Sequence, residues 1–196
     1  CTCTILKSMY DYLGIEIPAN IAGAMLCAIL SDTVIFKSPT CTQTDRDAAA
    51  ALAKIAGVED VQALGMELFK AKSAVAGVPV RNLIFRDFKD FSMNGAKVGV
   101  GQLELVSLDL VADIKAEIEA ELAKVKAEEG RHTAMLLLTD IMKEGSELLM
   151  ASDDAAKIAR AFGHCECELE KGNLWLDGVM SRKKQVVPAL EAAFRG

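Results

Sequence analysis

The chain has 196 residues and a mass of 21.0 kDa, enough for one domain or two small ones with a real core. Hydrophobic residues make up 52% and charged residues 26%, which excludes a disordered chain. Lys and Arg number 22 against 28 Asp and Glu, a net charge of −6. That sign opposes bulk nucleic-acid binding, so any anionic ligand needs a local basic cluster. No apolar run reaches the roughly 20 residues that span a bilayer, and Ile21 to Leu30 is interrupted by Gly23. Neither a nucleic acid nor a membrane is therefore expected as partner. The six cysteines, Cys1, Cys3, Cys27, Cys41, Cys165 and Cys167, read as reduced thiols of a cytoplasmic protein. The chain opens Cys1-Thr2-Cys3-Thr4 without Met and reads as the interior of a longer protein.

Ile5, Leu6, Met9, Tyr10 and Leu13 recur at helical spacing, and Gly14 ends that helix. Ile17-Pro18 opens a second helix through Ile21, Met25, Leu26, Ile29 and Leu30. It is apolar nearly all round, so burial is expected. Ser31-Asp32-Thr33 stops it, and Lys37 to Thr40 is a loop. Thr44 with Asp47 resembles a capping box for a third helix that Gly57 terminates. Val61 to Lys72 is a fourth helix, so residues 1–72 read as all-helical.

Ser73 to Pro79 is rich in small residues and is the linker candidate. Phe85, Phe88 and Phe91 then lead to Met93-Asn94-Gly95-Ala96, a two-residue hairpin turn, with Lys97 to Val106 as return strand. A charged helix over Ala112 to Glu129 places Ile114, Ile118, Leu122 and Val125 on one face, and Gly130 caps it. Ala134 to Thr139 reads as a buried strand and Leu148 to Met150 as a shorter one. Ser152 is the expected cap of a helix through Ala161. Cys165 to Leu169 and Leu174 to Val179 read as a strand pair turned at Gly172-Asn173, before a last helix over Val187 to Phe194. Residues 80–196 thus alternate strands and helices, an α/β or α+β layer domain.

Three features could carry chemistry. In Ser181-Arg182-Lys183-Lys184-Gln185-Val186-Val187-Pro188 three cations precede a helix whose first position suits Pro188. The helix dipole repels cations there, so the run is either a phosphate site or a solvated basic turn. Asp32 closes an apolar helix; alone it reads first as a helix terminator, and second as a metal ligand. Lys89 lies between Phe88 and Phe91, and by spacing alone it is a solvent-facing strand residue. His164-Cys165-Glu166-Cys167 has no second ligand pair at zinc-finger spacing, and packed thiols are the plainer reading. His132, after Gly130-Arg131, suits a cation complementing a helix end.

Two separated stretches, Ala22-Gly23-Ala24-Met25-Leu26-Cys27-Ala28-Ile29-Leu30-Ser31-Asp32-Thr33 with Phe36-Lys37-Ser38-Pro39-Thr40-Cys41-Thr42, and Ser181 to Pro188, resemble the manganese-dependent (family II) inorganic pyrophosphatases of the DHH phosphoesterase superfamily. The likeness covers essentially the whole chain. It implies an α/β protein in which residues 1–72 are the helical end of a DHH catalytic domain and 80–196 a DHHA2-type substrate-binding domain with a mixed sheet. The implied active site lies in the cleft between the two. The implied reaction is hydrolysis of pyrophosphate to two phosphates by a metal-bridged hydroxide. Asp32 falls on a metal-ligand position, Lys89 on the substrate lysine, and Arg182 and Lys183 on the pyrophosphate-binding pair. The implied cofactor is Mn²⁺, with Co²⁺ or Mg²⁺ as possible substitutes. The implied partners are pyrophosphate, a missing N-terminal DHH segment and a possible homodimer. The family's H-x-x-x-D-x-D ligands and its Asp-His-His motif are absent, so the fragment alone is expected to be inactive. Another DHH phosphoesterase or polyphosphatase, or a non-catalytic phosphate-binding module, are the competing readings.

Overall fold

The computed structural model describes residues 1–165 and 174–195. The chain divides into two compact units, Cys1–Lys72 and Ser73–Gly196.

The first unit is helical: α1 (Thr2–Leu13), α2 (Ala19–Asp32), α3 (Gln43–Ala56) and α4 (Val61–Lys72). Gly14 and Gly57 end α1 and α3 in the left-handed conformation, which glycine adopts without a Cβ penalty. Helix α2 buries Ala22, Met25, Leu26, Ile29 and Leu30, although Ile21 stays on the surface. The cap of α3 sits two residues earlier than its sequence suggests. Thr42 and Asp45 form the capping box, not Thr44 and Asp47. Both pairs have the T-x-x-D spacing, but only Asp45 can also be buried, where it accepts from the Thr4 hydroxyl at 2.5 Å. Burial raises the Asp45 pKa, but hydrogen bonds from Thr4 and Thr42 outweigh it and hold the carboxyl well below the usual range. Helix α1 turns its polar face inward: Thr4 and Lys7 are buried. Its apolar side is on the surface, with Ile5 63%, Met9 52% and Tyr12 90% exposed.

After Asp32 the backbone does something no residue type announces. Val34, Ile35 and Phe36 take φ of 50°, 51° and 65°, a left-handed turn without glycine that costs about 1–2 kcal/mol per residue. Packing and hydrogen bonds offset this. Val34 and Ile35 are buried, the amide of Ile35 donates to Leu30 O at 2.9 Å, and Arg46 donates to Phe36 O at 2.9 Å.

The second unit is built on a mixed sheet in the order β1-β2-β3-β4-β5. Its strands are β1 (Phe88–Met93), β2 (Ala96–Leu105), β3 (Thr133–Asp140), β4 (Gly145–Ser152) and β5 (Leu174–Asp177). Among these five strands only β2 and β3 pair in parallel. The β1–β2 hairpin turns at Asn94 and Gly95, φ 48° and 81°, as a type I′ turn requires. Strand β3 is buried throughout. Strand β4 is longer than its apolar core suggests, because Glu147 and Ser146 are buried inside it. One sheet face packs on α5 (Val80–Ile84) and α6 (Lys115–Glu128) through Leu83, Ile84, Ile118, Leu122 and Val125. The other packs on α7 (Ala155–Ala161) and α8 (Val187–Arg195) through Ile158, Leu190 and Phe194.

Several local expectations shift. The stretch after Lys72 is no free linker: Val75 joins the core, and the buried Ser73 hydroxyl accepts from the Val106 amide at 3.0 Å. Asp154 caps α7, accepting from Lys157 N, while Ser152 supports the preceding turn. Arg131, not His132, reaches back to the end of α6, donating to Val125 O at 2.7 Å; His132 packs edge-on against Phe194. The expected strand and turn within 166–173 lie outside the described residues. Cys165 is disulfide-bonded rather than a thiol, while Cys1, Cys3, Cys27 and Cys41 are free. No helix among the described residues is long and apolar enough to cross a membrane.

Candidate functional site

Strand alternation puts Lys89, Phe91 and Met93 on the sheet face that α8 covers. Met93 is the buried end of that row, and Lys89 is its exposed start. Strand β1 is fixed from the other face. There Arg131, itself buried, holds Asp90 with two bonds of 2.7 and 2.9 Å. The Phe88 ring fills the space over Gly99, where any Cβ would collide with it, and lies tightly over Gly101, where a Cβ would meet Leu136 first. A β1 clamped in this way offers Lys89 at a defined height above the sheet.

The three successive cations do not precede their helix. They form its first turn, a π-type turn over Arg182–Val186 that runs directly into α8. Ser181 caps the turn by accepting from Lys184 N. Pro188 is therefore the second residue of α8, not the first helical position. The difference arises from Gln185. Its carbonyl oxygen accepts from the amides of Met180 and Ser181, both at 2.9 Å. It thereby closes a helix start six residues ahead of where the proline would set it.

This winding sends neighbouring cations to different places. Arg182 is 8% exposed. It donates through Nη1 to the carbonyls of Asp87 (2.7 Å) and Val100 (3.1 Å), and through Nη2 to the Asp87 carboxylate (2.8 Å). Lys183 is exposed. Lys89, Phe91, Arg182, Lys183 and Val187 line one hollow of about 250 Å³. Lys89 and Lys183 make no ion pair with any described residue. Among the described residues, the hollow thus presents two ammonium groups without an ion-pair partner beside a guanidinium already paired with Asp87. It is smaller than a drug-sized pocket and suits a compact polyanion. Asp87 is missing from the sequence reading, because its pairing with Arg182 spans 95 positions and leaves no local signal.

Asp32 belongs to the other compact unit. It is the last residue of α2, and its side chain is 57% exposed. The strained turn over Val34–Phe36 follows directly, and such strain concentrates at functional segments. No group of three or more His, Cys, Asp or Glu able to hold a metal occurs among the described residues. A single exposed carboxylate does not make a divalent-cation site, so the residues present do not by themselves fit a bound manganese ion.

The model of the DHHA2 domain matches residues 66–193. The chain is 52% identical over 194 residues to a protein of Archaeoglobus fulgidus named a probable manganese-dependent inorganic pyrophosphatase, covering 99% of this chain and 59% of that one. It is 44% identical over 196 residues to the manganese-dependent inorganic pyrophosphatase of Methanothrix thermoacetophila, covering 99% and 62%. A crystal structure from Methanococcus jannaschii, described as a family II inorganic pyrophosphatase, superposes with a TM-score of 0.87 at 42% identity. It covers all of this chain and 65% of that one. The chain therefore spans about three fifths of the length of these relatives. The matched stretch holds the whole sheet, the clamped β1 and the cationic turn, and through it this chain belongs to the DHHA2 domain family.

Proposed function

We propose that this chain is the substrate-binding portion of a manganese-dependent inorganic pyrophosphatase, acting in the cytoplasm. The single observation that carries this is the convergence of Lys89, Arg182 and Lys183 on one small hollow, with 92 residues between the first two. Pyrophosphate hydrolysis breaks one P–O bond with water and yields two phosphates. The transferring group spreads charge over its outer oxygens, so preorganised cations supply much of the catalysis. Lys89 and Lys183 would bind those oxygens as mobile point charges. Arg182, held by two backbone carbonyls and Asp87, would offer a fixed planar edge.

Metal supplies charge neutralisation and an activated water in such reactions. Asp32 would be one ligand of that site, and the rest would come from the part of the longer protein that the relatives carry and this chain does not span. The alternative substrates, longer polyphosphates, share the same phosphate chemistry. The test is turnover by the longer protein with Mn²⁺ present, comparing pyrophosphate with tripolyphosphate. Preference for pyrophosphate, lost in Lys183→Ala, is the expected result. Unchanged turnover in Lys183→Ala would sink the assignment, and preference for tripolyphosphate would move it to the polyphosphatase reading. Lys183 is a cleaner probe than Arg182, whose removal also strands Asp87 and two carbonyls.

A further inference from the structure

The segment from Gly178 to Arg182 belongs to no strand, yet most of its backbone polar groups are satisfied, chiefly by side chains. Gln185 donates to Gly178 O at 2.8 Å and accepts from Met180 N and Ser181 N. Val179 N donates to Leu176 O, and Ser181 O accepts from the amides of Gln185 and Val186. Three further groups are met from the sheet. Ser146 Oγ donates to Val179 O at 2.7 Å. Gln102 Nε2 donates to Met180 O at 3.1 Å, and Gln102 Oε1 accepts from Arg182 N at 3.4 Å.

Gln102 and Ser146 are linked through Thr139. Gln102 Nε2 donates to Thr139 Oγ1 at 2.9 Å, and Thr139 Oγ1 lies 2.8 Å from Ser146 Oγ. A hydroxyl has one proton. Ser146 uses its proton on Val179 O, so Thr139 must give its own to Ser146. The row therefore runs in one direction: Gln102 to Thr139 to Ser146 to Val179 O. It crosses β2, β3 and β4 on the face that carries α8, and Thr139 and Ser146 are wholly buried. A buried row with every group satisfied is rigid, and losing one member strands its neighbours.

We propose that Gln102, Thr139 and Ser146 are positioning residues for the cationic turn, holding Arg182 and Lys183 at the hollow by fixing the backbone that enters it. None of the three touches the hollow. The proposal rests on reading that hollow as the anion site.

The test uses the 196-residue chain with Thr139→Val, which keeps the shape and removes the hydroxyl, and Thr139→Ser, which keeps the hydroxyl. Amide hydrogen exchange and pyrophosphate binding by calorimetry are read on both and on the parent. In Thr139→Val, exchange over residues 178–186 should rise selectively. Pyrophosphate should bind about tenfold more weakly, the order of effect that one unmet buried hydrogen-bond partner can have. Thr139→Ser should restore both. Exchange that rises equally across the sheet, with binding within twofold of the parent, would show a merely structural row and overturn the proposal. Lys183→Ala is the control on the reading beneath it. If that variant binds pyrophosphate as the parent does, the anion site is wrong, and the selective exchange change alone decides whether the row holds the turn.

Discussion

At the scale of single residues, two positions around β1 show how much depends on close approach. A Cβ on Gly99 would lie 2.3 Å from the Phe88 ring and 3.1 Å from Arg131. Gly99→Ala must displace the ring or the strand, and should cost about 1–3 kcal/mol in urea unfolding. A loss under about 0.5 kcal/mol would mean that the ring moves freely. Asp90 carries a pH dependence. Hydrogen bonds from Arg131 hold its carboxyl below the usual range, against the opposing effect of burial. A carboxyl with a depressed folded pKa adds stability above about pH 4, the unfolded value, and loses it as pH falls through the folded pKa. Asp90→Asn should therefore be less stable than the parent at neutral pH, with the gap closing in acid. A gap that is the same at neutral pH and at about pH 3 would contradict this.

Among the elements, α3 offers a test of register. Thr42 accepts from Asp45 N while Asp45 accepts from Thr42 N at 2.9 Å. Thr42→Ala should cost about 1 kcal/mol, as lost N-caps do. Thr44→Ala should stay within about 0.5 kcal/mol, as exposed substitutions do. Thermal or urea unfolding of the two variants separates the two candidate capping boxes. The hairpin at Asn94-Gly95 was legible because its turn chemistry is local. The left-handed turn over Val34–Phe36 was not, because β-branched residues such as Val34 and Ile35 disfavour that conformation, and burial, the Ile35 to Leu30 hydrogen bond and the Arg46 contact hold it there.

On the scale of the whole molecule, the exposed apolar side of α1 departs from ordinary burial. Ile5, Met9, Tyr12 and Leu13, with Ser8, line a shallow hollow of about 370 Å³. Contiguous apolar surface of this kind promotes association. The 196-residue chain should associate in light scattering, and Ile5→Lys with Met9→Lys should return it to a monomer. A parent chain that is already monomeric at high concentration would refute this.

Sequence by itself determined the helical first unit, the hairpin, the buried β3 and the apolar face of α6, because apolar periodicity and turn residues act over a few positions. By spacing alone Lys89 reads as a solvent-facing strand residue and Arg182 and Lys183 as part of a basic run; their selection as site residues comes from the family resemblance. Tertiary structure alone decided which cation is buried in an ion pair and which is exposed. Arg182 and Lys183 are adjacent, yet one is buried against Asp87 and the other is exposed. That division depends on Gln185 winding the turn and on partners 80 and 95 positions away. Contacts at such separations are fixed by the order of strands in the sheet, which no local pattern of residues encodes.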